Sequence, residues 1–240
     1  MKVSILIPVY NEEKTIIEIL KRVNNEILKS KFFEFEVVVI DDFSNDETGN
    51  LLDKNKSLYN LLIKNEKNYG KGFCIRKALH HINTDIVLIQ DADLEYNPSD
   101  YQCLLKPFLD FNADAVYGSR FRTSNYSRVL FFWHTLANFY ITLLTNIFSN
   151  YNLTDVETGY KVFKFDKLKK INLVENDFAF EIEVTLKLAN LKPPIIIYET
   201  GISYFGRTYS EGKKIKLQDA FKAFFCILKY GIIIKIRNIF

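Results

Sequence analysis

The sequence predicts an α/β fold, a mostly parallel sheet flanked by helices, and two observations carry that reading. Short apolar runs at Val3–Val9, Glu36–Ile40, Leu61–Ile63, Ile86–Ile89 and Ala113–Tyr117 alternate with stretches of helical period. Strands buried on both faces read as such near-continuous runs, and strand–helix alternation is the signature of parallel crossover units. The 240 residues are 48% apolar and 25% charged, which suits one large core and excludes disorder.

Val3–Val9 is the first buried strand. Asn11 is expected to cap the helix that follows, with Glu12 and Glu13 in its first turn and Ile16, Leu20, Val23 and Ile27 as its apolar stripe. Glu36–Ile40 ends in Asp41-Asp42, and Ser44-x-x-Glu47 reads as a capping box opening a second helix. After the short strand Leu61–Ile63, Asn68-Tyr69-Gly70-Lys71-Gly72 turns into a third helix with Ile75, Leu79 and Ile82 inward. No Gly-x-Gly-x-x-Gly follows the first strand, which disfavours a dinucleotide enzyme, and the Gly70-Lys71-Gly72 turn is no Walker loop.

Ile86–Ile89 runs directly into Asp91, Asp93 and Glu95. Ligands collect beyond the carboxyl ends of such strands. If the chain stays extended past Gln90, Asp91 and Asp93 share a face, where their repulsion calls for a hard cation, Mg²⁺ or Mn²⁺, bearing a diphosphate. By itself Asp-x-Asp more often means only a solvated turn.

Pro98 opens a helix to about Phe111, and Ala113–Tyr117 leads into Gly118-Ser119-Arg120. Between Arg128 and Asp155 no residue is charged, and Thr135, Asn138, Thr142, Thr145 and Ser149 recur at helical spacing. That neutral polar stripe fits a helix half buried in the domain or one lying in a membrane interface. Glu157–Phe165 is a strand or loop bearing Gly159-Tyr160-Lys161, Phe178–Leu191 is a helix carrying Glu181 and Glu183, and Ile195–Tyr198 is a further strand. Arg207–Lys216 is a polar, basic loop expected to be mobile. The last helix, Leu217–Tyr230, puts Leu217, Phe221, Phe224, Phe225 and Leu228 on one side, before Ile232-Ile233-Ile234. None of these segments reaches ~20 uninterrupted apolar residues, so surface attachment is expected rather than spanning.

The net charge of +3 is uneven: from Lys213 onward seven cations face one acid, a net of +6, which leaves −3 for residues 1–212. Charge alone allows either anionic lipid or nucleic acid as partner, but the tail lacks a nucleic-acid module and its apolar stripe favours lipid. Cys74, Cys103 and Cys226 are far apart and read as reduced thiols of a cytosolic protein. A strand beginning within three residues of Met1 leaves no room for a signal peptide.

Taken in register, Pro8-Val9-Tyr10-Asn11-Glu12, Asp41-Asp42-x-Ser44, Asn68-x-Gly70-Lys71-Gly72, Asp91-Ala92-Asp93-Leu94-Glu95 and Gly118-Ser119-Arg120-Phe121 resemble the family 2 inverting glycosyltransferases of GT-A fold. With Asp155-x-x-Thr158-Gly159-Tyr160-Lys161, Arg207 and Lys213, the chain looks most like the branch that glycosylates dolichyl or polyprenyl phosphate. The resemblance covers nearly the whole chain. It implies that Pro8, Tyr10, Glu12, Ile40 and Asp42 hold the nucleoside, and that Asp91, the Ala92 backbone and Asp93 hold ribose, metal and diphosphate. Glu95 would be a further metal contact, and Arg120, Arg207 and Lys213 would grip the phosphates of a nucleotide-sugar donor and a lipid-phosphate acceptor. It further implies residues 1–212 as the catalytic domain, with 213–240 as a basic amphipathic segment of it, peripheral on the cytoplasmic face of a membrane. Asp93, Arg120, Arg207 and Glu181 are the catalytic candidates. Glu181 would be the base if the acceptor were a hydroxyl, the alternative reading, and otherwise a surface helix acid. Two departures stand out: Phe43 occupies a position where relatives usually have Gly, and the extra transmembrane helices of many members have no counterpart, which leaves open whether a separate membrane subunit exists.

Overall fold

In the computed structural model, residues 1–122, 128–129, 131–207 and 217–239 are described. The order is β1 (Lys2–Val9), α1 (Ile16–Ile27), β2 (Glu34–Asp41), α2 (Thr48–Lys54), β3 (Leu61–Lys64), α3 (Lys71–Leu79) and β4 (Ile86–Ile89). Then follow α4 (Tyr101–Asp110), β5 (Ala115–Ser119), α5 (Phe132–Ser149), β6 (Lys161–Lys164), α6 (Phe165–Leu168), α7 (Phe180–Ala189), β7 (Ile197–Gly201) and α8 (Leu217–Ile239). The strands form one sheet, β3-β2-β1-β4-β6-β5-β7, parallel throughout except β6, which runs against both β4 and β5.

The two-residue side-chain period sorts the strands' apolar residues onto two faces. Leu6, Val38, Val87 and Ile89 pack under α3, α5, α7 and α8, while Ile5, Ile7, Val39 and Leu88 pack under α1 and α4. β2 and β4 lie on opposite sides of β1. The crevice at the carboxyl end of β1 is therefore the topological switch point at which such sheets bind ligands.

Several local expectations are corrected. Asn11 does not cap α1: it adopts φ +51° and its side chain accepts from Asn45 N–H at 2.9 Å, while α1 starts at Ile16. Glu12 and Glu13 consequently precede the helix. Ser44 caps nothing either, because its hydroxyl accepts from Asn11 N–H at 3.0 Å and α2 begins only at Thr48. Both side chains tie the β1–α1 and β2–α2 loops together. The chain bends after Gln90 rather than staying extended, so Asp91 and Asp93 do not share a strand face.

α5 is half buried, one of the two readings the sequence left open, and on both α5 and α8 the tertiary structure decides which face is covered. The polar stripe of α5 points inward: Asn138, Thr142, Thr145 and Ser149 are buried, whereas Phe132, Trp133, Phe139, Tyr140 and Ile147 are exposed. The reason is hydrogen bonding. Within the stripe the Thr142 hydroxyl accepts from Val156 N–H at 3.2 Å and the Ser149 hydroxyl from Tyr151 N–H at 3.3 Å, and Asn146 beside it exchanges two bonds with the Leu153 backbone at 2.8 and 3.0 Å, so the helix satisfies the irregular segment beneath it. On α8, likewise, Ala223, Cys226, Ile227 and Tyr230 are buried, while Phe221, Phe224 and Phe225 of the anticipated apolar side face outward.

Candidate active site

Two chains of alternating charge run through the crevice. The first begins at Asp91, whose carboxylate meets Lys71 Nζ at 2.6 Å; Lys71 in turn meets Glu181 at 2.9 Å, and Glu181 meets Lys161 at 2.7 Å. Lys161 also donates to the carbonyls of Val156 and Thr158 at 2.7 and 2.6 Å. Burial alone would draw the Lys71 ammonium down, but Asp91 and Glu181 outweigh it and hold the group well above its ordinary value. For Lys161 burial wins over Glu181, and its ammonium is shifted down. Glu181 is only 4% exposed, so it is no surface acid: both of its oxygens face lysines. Gly159 leaves room for this arrangement, because a Cβ at that position would meet Asp91 Oδ2 and displace the carboxylate.

The second chain is centred on Arg207. Its Nη2 donates to Asp93 Oδ2 at 2.7 Å, its Nη1 meets Glu12 at 3.3 Å, and its Nε and backbone N–H reach Glu95 Oε1 at 3.3 and 2.8 Å. One guanidinium thereby joins the β1–α1 loop to the β4–α4 loop. Burial, with Asp91 and Glu95 nearby, pushes the Asp93 carboxyl up to about 7 in spite of Arg207. Burial opposes the Arg207 charge, yet Asp93, Glu12 and Glu95 together hold its pKa above the ordinary arginine value.

Among the described residues no group of three or more His, Cys, Asp or Glu is arranged to hold a metal ion. The acids divide in their fitness for one. Asp91 and Asp93 each present hard carboxylate oxygens paired with a cation that an incoming ion can replace. Glu95 has a further partner outside the charged cluster: Oε2 accepts from Tyr204 O–H at 2.7 Å and Oε1 from Arg207 N–H, so it anchors residues 204–207 and would have to give up those bonds to bind a metal.

Arg120 is committed differently from expectation. Its Nε and Nη2 both donate to Asp155 at 2.7 Å, and its backbone N–H does so at 3.0 Å. Glu199 fixes that loop in turn, accepting from the N–H groups of Thr154 at 2.8 Å and Asp155 at 3.4 Å. The nucleoside candidates also separate. Asp42 is buried and accepts from the N–H groups of Tyr69 and Gly70 at 3.0 and 2.7 Å and from Asn65 Nδ2 at 2.7 Å, which shapes the turn into α3. Ile40 lies wholly in the sheet core, Ala92 is buried, and Pro8 and Tyr10 are half-buried at the end of β1. Lys213 lies outside the described residues, as does most of the loop expected to be mobile.

A family model, glycosyl transferase family 2, matches residues 4–172. The chain belongs to that family. The glycosyltransferase is 31% identical over 225 residues to an uncharacterized protein of Methanocaldococcus jannaschii, covering 88% of this chain and 93% of that one. It is 24% identical to a dolichyl-phosphate beta-glucosyltransferase of Trichomonas vaginalis (98% and 74% covered), and 22% identical to a UDP-N-acetylglucosamine–dolichyl-phosphate N-acetylglucosaminyltransferase of Methanococcus voltae (94% and 94%). Among solved structures, glucosyl-3-phosphoglycerate synthase of Mycobacterium tuberculosis, in complex with Mn²⁺, UDP and glucosyl-3-phosphoglycerate, superposes with a TM-score of 0.73 at 17% identity, over 95% of this chain and 79% of that chain. The fold is thus the GT-A fold expected from the sequence, and the protein is a nucleotide-sugar-dependent transferase.

Sequence reasoning quoted Lys71 and Lys161 as motif residues of this glycosyltransferase without giving them a role, and missed Tyr204. The sequence held little signal for Lys161, since β6 reads Lys-Val-Phe-Lys with a lysine at each end and spacing alone does not say which of the two is buried.

Proposed function

We propose that this glycosyltransferase moves a hexose from a GDP- or UDP-linked donor to a dolichyl or polyprenyl phosphate with inversion, beside a membrane, using Mg²⁺ or Mn²⁺. The observation that carries the acceptor class is the burial of Glu181 between Lys71 and Lys161. A hydroxyl acceptor must lose a proton to a base, and the acid proposed for that work is held as a structural counter-ion; a phosphate is already anionic near neutral pH. Asp91 and Asp93 are the residues that would hold the metal, which when bound supplies positive charge to the departing diphosphate. Arg207 would neutralise phosphate beside them, and Lys71, itself paired with Glu181, orients Asp91 from the protein side.

The test is single-turnover transfer from a panel of UDP- and GDP-sugars to polyprenyl phosphate between pH 5 and 8, in wild type and Glu181→Gln. The rate is expected to fall as pH drops through the phosphate's second pKa, near ~6 and lowered by adjacent cations, in both proteins. A phosphonate acceptor, with a higher second pKa, should move the midpoint upward, which titration of a protein group would not do. Glu181→Gln should also melt earlier, since breaking a buried ion pair costs roughly 3–5 kcal/mol. Loss of its activity at every pH would favour a hydroxyl acceptor instead.

The membrane reading is supported by the outward aromatic faces of α5 and α8 and by the +6 segment from Lys213 onward. Among the described residues no helix is long and apolar enough to cross a bilayer, so the attachment proposed is interfacial, with or without a membrane subunit. The protein should pellet with anionic vesicles, leave them partly in high salt, and bind less after Trp133→Glu. Equal binding to neutral and anionic vesicles would reduce the lysines to a solvated face.

A further inference from the structure

Phe43 combines a backbone φ of +66° with a ring that is 54% exposed. The left-handed region is unfavourable for a bulky side chain, because its Cβ crowds the following carbonyl. Packing does not offset that strain, since Phe43 belongs to neither hydrophobic core. The loop nevertheless holds it firmly: Asp42 N–H donates to Val9 O at 2.8 Å, Ser44 N–H to Asp41 Oδ1 at 3.0 Å, and Asn11 N–H to Ser44 Oγ at 3.0 Å. Strain of this kind persists only where the surroundings over-determine it, and it clusters at ligand sites.

Its place supplies the ligand. Phe43 follows β2, whereas Asp91 and Asp93 follow β4 on the other side of β1. The two strand ends are two spacings apart, roughly 10 Å, about what separates the diphosphate of a nucleotide from its base. Beside Phe43, the Asp42 carboxylate is already engaged by backbone N–H groups of the α3 turn, whereas the exposed Phe43 side chain is available to a flat ligand reaching this edge. We infer that Phe43 is a stacking platform for the nucleobase of the sugar donor, a specificity residue of this chain. The inference rests on the nucleotide-sugar reading above.

Calorimetric titration of GDP, UDP and pyrophosphate, each with Mg²⁺, into wild type, Phe43→Ala, Phe43→Gly and Phe43→Trp separates the outcomes. Ala and Gly should weaken the preferred nucleotide by about tenfold, the order that base–aromatic stacking supplies, while Trp retains affinity and pyrophosphate binds all four proteins alike. Melting should follow the backbone instead of the ring, with Gly higher than Ala by about 2 °C, because Gly alone is relieved of the left-handed cost. Unchanged nucleotide affinity in Phe43→Ala, or an equal loss for pyrophosphate, overturns the stacking role and leaves the donor class standing. If wild type binds neither nucleotide, the donor reading itself fails and this inference falls with it.

Discussion

Asp93→Asn should reduce single-turnover transfer by at least about 10²–10³-fold, the order lost when one charge-stabilising group is removed from a water-excluded site. EDTA should stop the wild-type enzyme and Mg²⁺ or Mn²⁺ restore it, while the variant resists rescue. Full activity in chelator would remove the proposed metal role of Asp91 and Asp93. The same substitution has a stability signature opposite to its effect on activity. Burial, Asp91 and Glu95 raise the Asp93 carboxyl from 3.8 to about 7 in the folded protein, so the folded state binds this proton more tightly than the unfolded chain does. Stability from this group therefore falls as pH rises between those two values. Measured in EDTA, Asp93→Asn should melt with wild type near pH 4 and increasingly above it toward pH 8. A variant that melts below wild type at pH 8 would show that the pair with Arg207 outweighs the desolvation.

Arg207→Lys should lose about 10–100-fold in transfer to polyprenyl phosphate although charge is kept. Three nitrogens of the guanidinium reach Asp93, Glu12 and Glu95 from one planar group, and a lysine ammonium on its single flexible stem cannot span all three. Loss of one charge-assisted hydrogen bond, about 1.5–3 kcal/mol, sets that range. Rates near wild type in Arg207→Lys, combined with a dead Glu181→Gln, would sink the phosphate-acceptor mechanism.

How much of this was legible in the chain divides along a physical line. Period and composition placed β1, β2 and β4 and the stripe of α1, because the faces of a buried strand and of a half-buried helix are set by local spacing. The acids Asp91 and Asp93 were legible for the same reason: polar residues ending a buried run must lie at the sheet's edge. Spacing could not show that β6 runs antiparallel between β4 and β5, because strand direction is fixed by the connection and not by the strand itself. Nor could it show that α5 turns its polar stripe inward, since that depends on which backbone N–H groups of residues 151–156 need acceptors. Glu181 is the sharpest case. Its sequence position in the first turn of α7 suits a solvated acid as well as a base, and only the convergence of Lys71 from α3 and Lys161 from β6 makes it a buried counter-ion. The sequence by itself determined which groups carry charge at the ends of the strands. Which charge faces which was decided by the tertiary structure, because the electrostatic energy of a buried group depends on distances of a few ångströms between residues far apart in the chain.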